Sequence, residues 1–467
     1  MRQSRSSRRA FLMSSAVGFA GALLAACGAT PAPTATTATE AEATQAPAAE
    51  ATATSAPAAT EGKVEIRWLD WSDQDDIINA AIERLKETHP NVTVNFEAID
   101  GSNWGDKQLT QMVSGNPPDL LIGNDETSYK WAEKKQLLDL NPLVERDLTA
   151  EQIADFFEYQ WNGLVYPGDQ TRMGLPYYTW VYQYYYNMDA FDEAGLDYPK
   201  AGWTLDDYSA ALEKLVKKEG DTITRWGGLD ACYDPFRFAL WAHIFGGNLV
   251  NPTDWTECAV SSDETKAAFE WHRERLWDTN TIIQQTQAGQ LSVIDALATQ
   301  KVAILGEGNG NEGMFLANPP AFKWACVAPP VGPTGKAEGI GTVDNWGIWA
   351  GTKAAGVVWD LAKIVALEDA FQEAFSAMWV ATPNRKSILP KFKDAVKAKY
   401  PDATDGQIDP QLEMLNSGAV RIGEQFKKHK ASTEILIPAM QKILQVGDGG
   451  VDILDAICEE ITALNRE

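Results

Sequence analysis

From residue 63 onward the chain switches between two periods. Val64, Ile66 and Trp68 recur at every second position, as in a strand with one face on a core. Ile77, Ile78, Ala81 and Leu85 then recur at helical spacing. Pro90 stops that helix, after which Val92, Val94 and Phe96 alternate again. Helical spacing over 104–113 ends at Gly115-Asn116-Pro117-Pro118, and 119–123 reads as a short buried strand. Strand, helix, strand, helix, strand is the order of a parallel sheet with helices on its faces. Ligands of such sheets bind beyond the carboxyl ends of the strands. Here those ends are Asp70-Trp71-Ser72 and Asn124-Asp125-Glu126.

The middle of the chain is unusually aromatic. Residues 177–186 hold six Tyr and one Trp, and their alternation predicts a strand. Thr204 and Asp207 predict a capped helix start, with Leu205, Tyr208, Leu212 and Leu215 on one face and Gly220 at its end. From there to about Asn318 the pattern predicts a mostly helical region carrying Trp226, Trp241, Trp255, Trp271 and Trp277. A short strand over 301–305 runs into a Gly-rich turn, another strand is expected over 346–350, and helices follow to the end. No internal repeat of fixed period is visible.

Before residue 63 the pattern is absent. Arg2, Arg5, Arg8 and Arg9 precede an apolar run over 10–26 with no acidic residue, the layout of an export signal. Its end, Leu24-Ala25-Ala26-Cys27, resembles a bacterial lipobox, which makes Cys27 the lipidated residue. Ser7-Arg8-Arg9-Ala10-Phe11-Leu12 resembles the twin-arginine consensus. An uncleaved anchor is the alternative, since the apolar run is at the lower limit of a membrane span. Residues 28–62 contain 14 Ala, 9 Thr, 4 Pro and 4 Glu, with no aromatic residue. Nothing there offsets the entropy of ordering, so it reads as a disordered linker. The organisation is therefore a signal over 1–27, a tether over 28–62 and a body over 63–467. The expected location is the extracytoplasmic face of the cell membrane, by lipid anchor. With Cys27 lipidated, Cys232, Cys258, Cys326 and Cys458 remain, and an oxidising compartment permits disulfides. Cys232 and Cys258 are the nearest pair in sequence; four thiols allow three full pairings, and four free thiols are equally consistent.

Charge narrows the functions. Against 40 Lys and Arg stand 65 Asp and Glu, a formal net charge of −25. Nucleic acid needs clustered basic residues, so it is a poor partner. Anionic ligands are disfavoured for the same reason. Four His leave little for a metal site, and no cofactor is expected. Gly308-Asn309-Gly310-Asn311-Glu312-Gly313 fits the dinucleotide fingerprint, but Pro319-Pro320 leaves no long helix behind it.

Several passages in order carry a resemblance. Leu85-Lys86-Glu87-Thr88-His89-Pro90-Asn91-Val92-Thr93-Val94, Ser114-Gly115-Asn116-Pro117-Pro118-Asp119-Leu120 and Gln136-Leu137-Leu138-Asp139-Leu140 come first. Tyr185-Tyr186-Asn187-Met188-Asp189-Ala190-Phe191-Asp192-Glu193-Ala194-Gly195-Leu196 and Trp203-Thr204 follow. Together they resemble the extracellular solute-binding proteins, family 1, of ABC importers, in the sugar-binding branch related to maltose-binding protein. The resemblance implies an α/β, two-lobed type II periplasmic-binding-protein fold, each lobe a mostly parallel sheet flanked by helices, with a cleft between. It places lobe 1 at about 63–180 and 321–380, and lobe 2 at about 181–320 and 381–467. It implies a monomeric, non-catalytic receptor that binds a neutral mono- or oligosaccharide, closes by a hinge and meets ABC permease subunits.

Each expected ligand contact has a plainer alternative. Asp70 and Trp71 line the cleft or cap locally, and Asp125 and Glu126 contact ligand unless Asp125 serves as a helix N-cap. Tyr177 and Tyr178 fall at the hinge the family implies, while Tyr182, Tyr184 and Tyr186 are expected in the core. Trp241 stacks on sugar or packs its helix. Glu307 belongs to the Gly-rich turn; Trp346 is placed to stack and Asp344 to hydrogen-bond. Arg385 binds ligand or, as favoured, forms an ion pair. Two other functional classes remain. One is a binding protein for a polyamine, peptide or metal. The other is a secreted glycoside hydrolase drawing two carboxylates from Asp70, Asp125, Glu126 and Glu307, for which no spacing selects a pair.

Overall fold

Among the described residues the strands are β1 Val64–Trp71, β2 Val92–Ile99, β3 Leu120–Gly123, β4 Leu175–Asn187, β5 Lys217–Glu219, β6 Thr222–Asp230, β7 Val250–Asn251, β8 Asp254–Cys258, β9 Val302–Gly308, β10 Trp324–Val327, β11 Gly339–Ile348, β12 Thr382–Pro383 and β13 Val420–Ile422. This computed structural model describes residues 62–71, 74–99, 104–230, 232, 234–284, 287 and 291–467. The expected signal, Cys27 and the linker through residue 61 lie outside the described residues. Alternation on β1 buries Ile66 and Trp68 on one face, and β1 runs parallel to β2 and β3, as the sequence pattern predicts.

The path through the main sheet is β2-β1-β3-β11-β4-β9-β6-β5. Strand β4 joins its two halves. β4, 13 residues long, pairs antiparallel with β11 through residues 175–181, then with β9 through residues 182–186. Each half has its own core: Ile66, Trp68, Ile122, Trp346 and Trp359 in the first, Tyr182, Tyr184, Trp241 and Phe269 in the second. The architecture is α/β with two lobes sharing β4. Parallel pairing holds for β1 with its neighbours and for β6 with β9, while β4 and β11 add antiparallel pairs. The expected division puts 321–380 in lobe 1; β10 pairs instead with residues 184–187 of β4, in the second half.

The helix Leu205–Leu215 opens with the predicted box: the Asp207 N–H donates to Thr204 Oγ1 at 3.1 Å and Thr204 N–H to Asp207 Oδ2 at 2.8 Å. Its end differs from expectation. Val216 is already extended, and Gly220, at φ +60°, sits in the two-residue turn between β5 and β6. Hairpin turns of that length require positive φ, which glycine supplies without a steric cost. The region 221–318 also holds more strand than expected, because β6 and β9 form the second lobe's parallel pair. The cysteine pairing left open by the sequence is neither the nearest pair nor four free thiols: Cys258 is joined to Cys458, with Cα atoms 5.2 Å apart, and Cys232 and Cys326 are buried thiols. Nearness in sequence lost to packing, since β8 lies against the C-terminal helix Ile453–Arg466.

A buried polar network ties β4 to the elements after β9. Glu312 is fully buried and accepts from Gln183 and, at 2.7 Å, lies against the Tyr185 hydroxyl. Gln411 reaches Glu312 at 3.3 Å and Asn309 at 2.8 Å, and Asn309 in turn accepts from the Val181 N–H at 2.8 Å. Tyr185 is also 2.8 Å from the Gly308 carbonyl, and its one proton cannot serve both oxygens. A proton on Glu312 resolves the conflict. Burial pushes the Glu312 carboxyl up to about 7, Asp344 up to about 7 and Asp230 up to about 6. Acids raised this way hold protons in the folded state that the unfolded chain has released. Stability therefore falls as pH rises through 6–8, and Tm is expected to climb as pH is lowered from 8.5 to 6.5. Below that, buried His272, pushed down to about 3 by desolvation, opposes the gain. A calorimetric pH series checks this: Glu312→Gln should flatten the slope, and an unchanged slope removes Glu312 from the account.

Candidate functional site

β9 of the second lobe ends at the partner change of β4, where Gly308 faces Tyr182, and β6 ends beside it with Asp230 facing Gly306. Trp180, half-buried, lies at that change, with Tyr182 at 5.7 Å and Phe236 at 5.6 Å between ring centres. It has room only because residue 308 is glycine: a Cβ there would stand 1.4 Å from the indole Cε2. On the first lobe Trp71 meets Trp104 edge-on at 5.5 Å, and Trp104 meets Trp131 at 6.5 Å. Among the described residues the Trp71 Nε1 has no hydrogen-bond partner. Tyr178 and Trp379, also half-buried, pack at 5.4 Å. Half-buried rings thus stand on each half, Trp71, Trp104, Tyr178 and Trp379 against the first core and Trp180 and Phe236 against the second.

Carboxylates stand among these rings. Asp344 sits at a bulge of β11, where the register against β4 shifts between Val343 and Asn345. Burial first, and the nearby Asp70 second, raise its carboxyl, against the opposing hydrogen bond from Tyr178. Glu307, 5% exposed, is raised by desolvation, while the Arg237 guanidinium and the Gly308 N–H pull it back. Arg237 Nη1 donates to Asp234 Oδ2 at 2.8 Å, and Arg237 Nε and Nη2 both approach Glu307 Oε1 at 3.3 Å. Its Cζ lies 5.3 Å from the Trp180 ring centre. Such a site offers acceptors and flat apolar faces. Among the described residues no group of three His, Cys, Asp or Glu is placed to hold a metal ion.

The expected contacts divide. Asp70 is fully buried and accepts from the indoles of Trp346 at 2.9 Å and Trp68 at 3.3 Å. Tyr177 donates to Gln74 at 2.8 Å, and its ring stacks on Trp346 at 4.0 Å, both inside the first core. Trp241 is fully buried, stacked on Trp271 at 4.7 Å in the second core. Asp70, Tyr177, Trp241 and Trp346 are thus occupied by core packing. Trp71 and Tyr178 are half-buried, Asp344 is hydrogen-bonded by Tyr178, and Glu307 is bonded to the Arg237 that lies near the Trp180 ring. Glu126 is exposed and lines a separate crevice of about 10 Å³ with Tyr166 and His429, room for one water. The Asp125 side chain lies outside the described set; the helix cap there is Asn124, whose side chain accepts from the Thr127 N–H at 2.9 Å. Arg385 pairs with Asp369 at 2.5 Å and Asp155 at 3.5 Å, the ion-pair alternative.

Sequence reading passed over Trp104, Trp180, Phe236, Arg237 and Trp379. Trp180 stands in the aromatic strand, and its period-two relation to Tyr178 was the available signal. Arg237 gave none, because its partner Glu307 is 70 residues away.

A family model described as "Bacterial extracellular solute-binding protein" matches residues 71–370. A protein of Brucella abortus (strain 2308), named as a binding protein, is 23% identical over 319 residues, 67% of this chain and 72% of its own length. Among solved structures, the ABC substrate-binding protein of Listeria monocytogenes in complex with cycloalternan superposes with a TM-score of 0.73 at 21% identity, covering 86% of this chain and 98% of that one. The sugar-binding protein MalE of Xanthomonas citri gives 0.69 at 18% identity, with 86% and 98% covered. At these identities the two structures establish a shared fold.

Proposed function

The chain belongs to the bacterial extracellular solute-binding proteins, and from that membership we propose that it is the receptor of an ABC importer that binds a neutral mono- or oligosaccharide between its lobes. The observation that carries the reading is the half-buried rings Trp71, Trp104, Tyr178, Trp180 and Trp379, with Asp344 hydrogen-bonded by Tyr178 and Glu307 bonded to the Arg237 near Trp180. Sugars present apolar C–H faces that pack on aromatic rings and hydroxyls that donate to carboxylates. The cycloalternan complex and the sugar-binding name of two proteins sharing the fold support the same ligand class. Glu307, Asp344, Trp71 and Tyr178 are the proposed contacts kept from the sequence, with Trp180 added. The lobes close by bending at β4, and no chemical step is assigned. The leader supports export and lipidation at Cys27, with the 28–62 tether holding the body at the extracytoplasmic face of the cell membrane, where the permease is met.

Thermal-shift screening of mono- and oligosaccharides, polyamines and Fe³⁺ tests the ligand class. A saccharide at a hundred times its Kd adds about 2.7 kcal/mol. For a body of this size that raises Tm by roughly 3 °C. Shifts with a polyamine or Fe³⁺ and with no sugar would overturn the saccharide. Release of new reducing ends from an oligosaccharide would overturn the non-catalytic assignment.

A further inference from the structure

Arg237 occupies an electrostatically unfavourable position. It lies in the first turn of the helix Pro235–Phe245, where the backbone dipole repels a cation. Two carboxylates compensate. Asp234, the N-cap, accepts from the Arg237 N–H at 2.9 Å through Oδ1 and from Nη1 at 2.8 Å through Oδ2. Glu307, at the end of β9, takes Nε and Nη2 at 3.3 Å on a single oxygen, Oε1. The Gly308 N–H donates to that same oxygen at 2.9 Å. Oε1 is therefore filled by three donors, while Oε2 has no partner among the described residues. A carboxylate this deeply buried is costly to ionise without a cation beside it. The groups facing Glu307 are Arg237 and Asp234 from the helix start and Tyr182 from β4, with Asp230 of β6 opposite Gly306 in the adjacent register. Arg237 is the one cation in that set.

We propose that Arg237 is a positioning residue: it clamps Glu307 through Oε1, favours the ionised carboxylate, and leaves Oε2 to accept a hydroxyl of a saccharide whose C–H face rests on Trp180, the indole that the same guanidinium approaches. The inference rests on the saccharide reading for its ligand, but the clamp itself is a property of the ligand-free chain. It predicts that the ligand presents a hydroxyl at the edge of the face that stacks, so that one residue pair reads both.

Two measurements test it on the full chain, with Arg237→Met, Arg237→Lys and Glu307→Gln. In the ligand-free protein, the ¹³C carboxyl titration of Glu307, assigned by its loss in Glu307→Gln, should move to higher pH by at least about one unit in Arg237→Met and return most of the way in Arg237→Lys. An unmoved titration overturns the clamp. In calorimetric titration with the saccharide giving the largest thermal shift, Arg237→Met should bind at least tenfold more weakly than wild type at pH 6. The ratio of the two affinities should recover as pH rises to 8.5, which corrects for any titration of Asp344 common to both chains. Glu307→Gln should be weak at every pH. A loss in Arg237→Met that is equal at every pH marks a merely structural role and overturns the proposal. If no saccharide binds wild type, the saccharide reading fails, and the carboxyl titration still decides whether Arg237 governs Glu307.

Discussion

Gly308→Ala is expected to cost about 30-fold or more in saccharide affinity, the loss of one dominant contact of roughly 2 kcal/mol. The added methyl would stand 1.4 Å from Cε2, 1.8 Å from Nε1 and 2.0 Å from Cζ2 of Trp180, so the indole must leave its place on β9. The backbone at 308 does not need a positive φ, so alanine brings no conformational strain and the effect is confined to the ring. Trp180→Ala should match Gly308→Ala in affinity, and the double variant should be no weaker than either, because both remove one platform. Additive losses in a calorimetric cycle would mean that Gly308 and Trp180 act separately.

Trp346→Ala is expected to lower stability by about 3–5 kcal/mol, as large-to-small changes of buried aromatic residues do. In Tm this is about 4–6 °C for a chain of this length. The ring is fully buried and stacked on Tyr177 at 4.0 Å, and its Nε1 donates to the buried Asp70 at 2.9 Å. Trp346→Phe separates the two contributions, keeping most of the stack while leaving Asp70 short of a donor, at about 1–3 kcal/mol. Urea denaturation reads both. If Trp346→Ala kept its stability and lost saccharide binding, Trp346 would be a ligand platform after all.

These two tryptophans show where sequence reading stops. Both stand in strands at positions suited to stacking, Trp180 among the tyrosines of β4 and Trp346 near the end of β11. On β4, Tyr178, Trp180, Tyr182 and Tyr184 share one face at period two, yet the first two are half-buried and the last two sealed. The strand changes partners between them, from β11 to β9, and the same face passes from half-buried to sealed. No local property of the chain marks that passage.

What the sequence determined by itself is whatever is set within a few residues. The strand and helix periods over 64–123, the box at Thr204, the long aromatic strand and the breaker at Pro117-Pro118 are all short-range consequences of side-chain spacing and backbone preference. Their order then implied a parallel α/β sheet. What only the tertiary structure decided depends on residues far apart in the chain. Cys258 met Cys458 across 200 residues because β8 packs on the last helix. Arg237 met Glu307 across 70, and Trp346 met Asp70 across 276. Hydrophobic burial and ion pairing have no intrinsic sequence range. Which rings were sealed and which stayed half-buried was therefore fixed only when the two lobes assembled around β4.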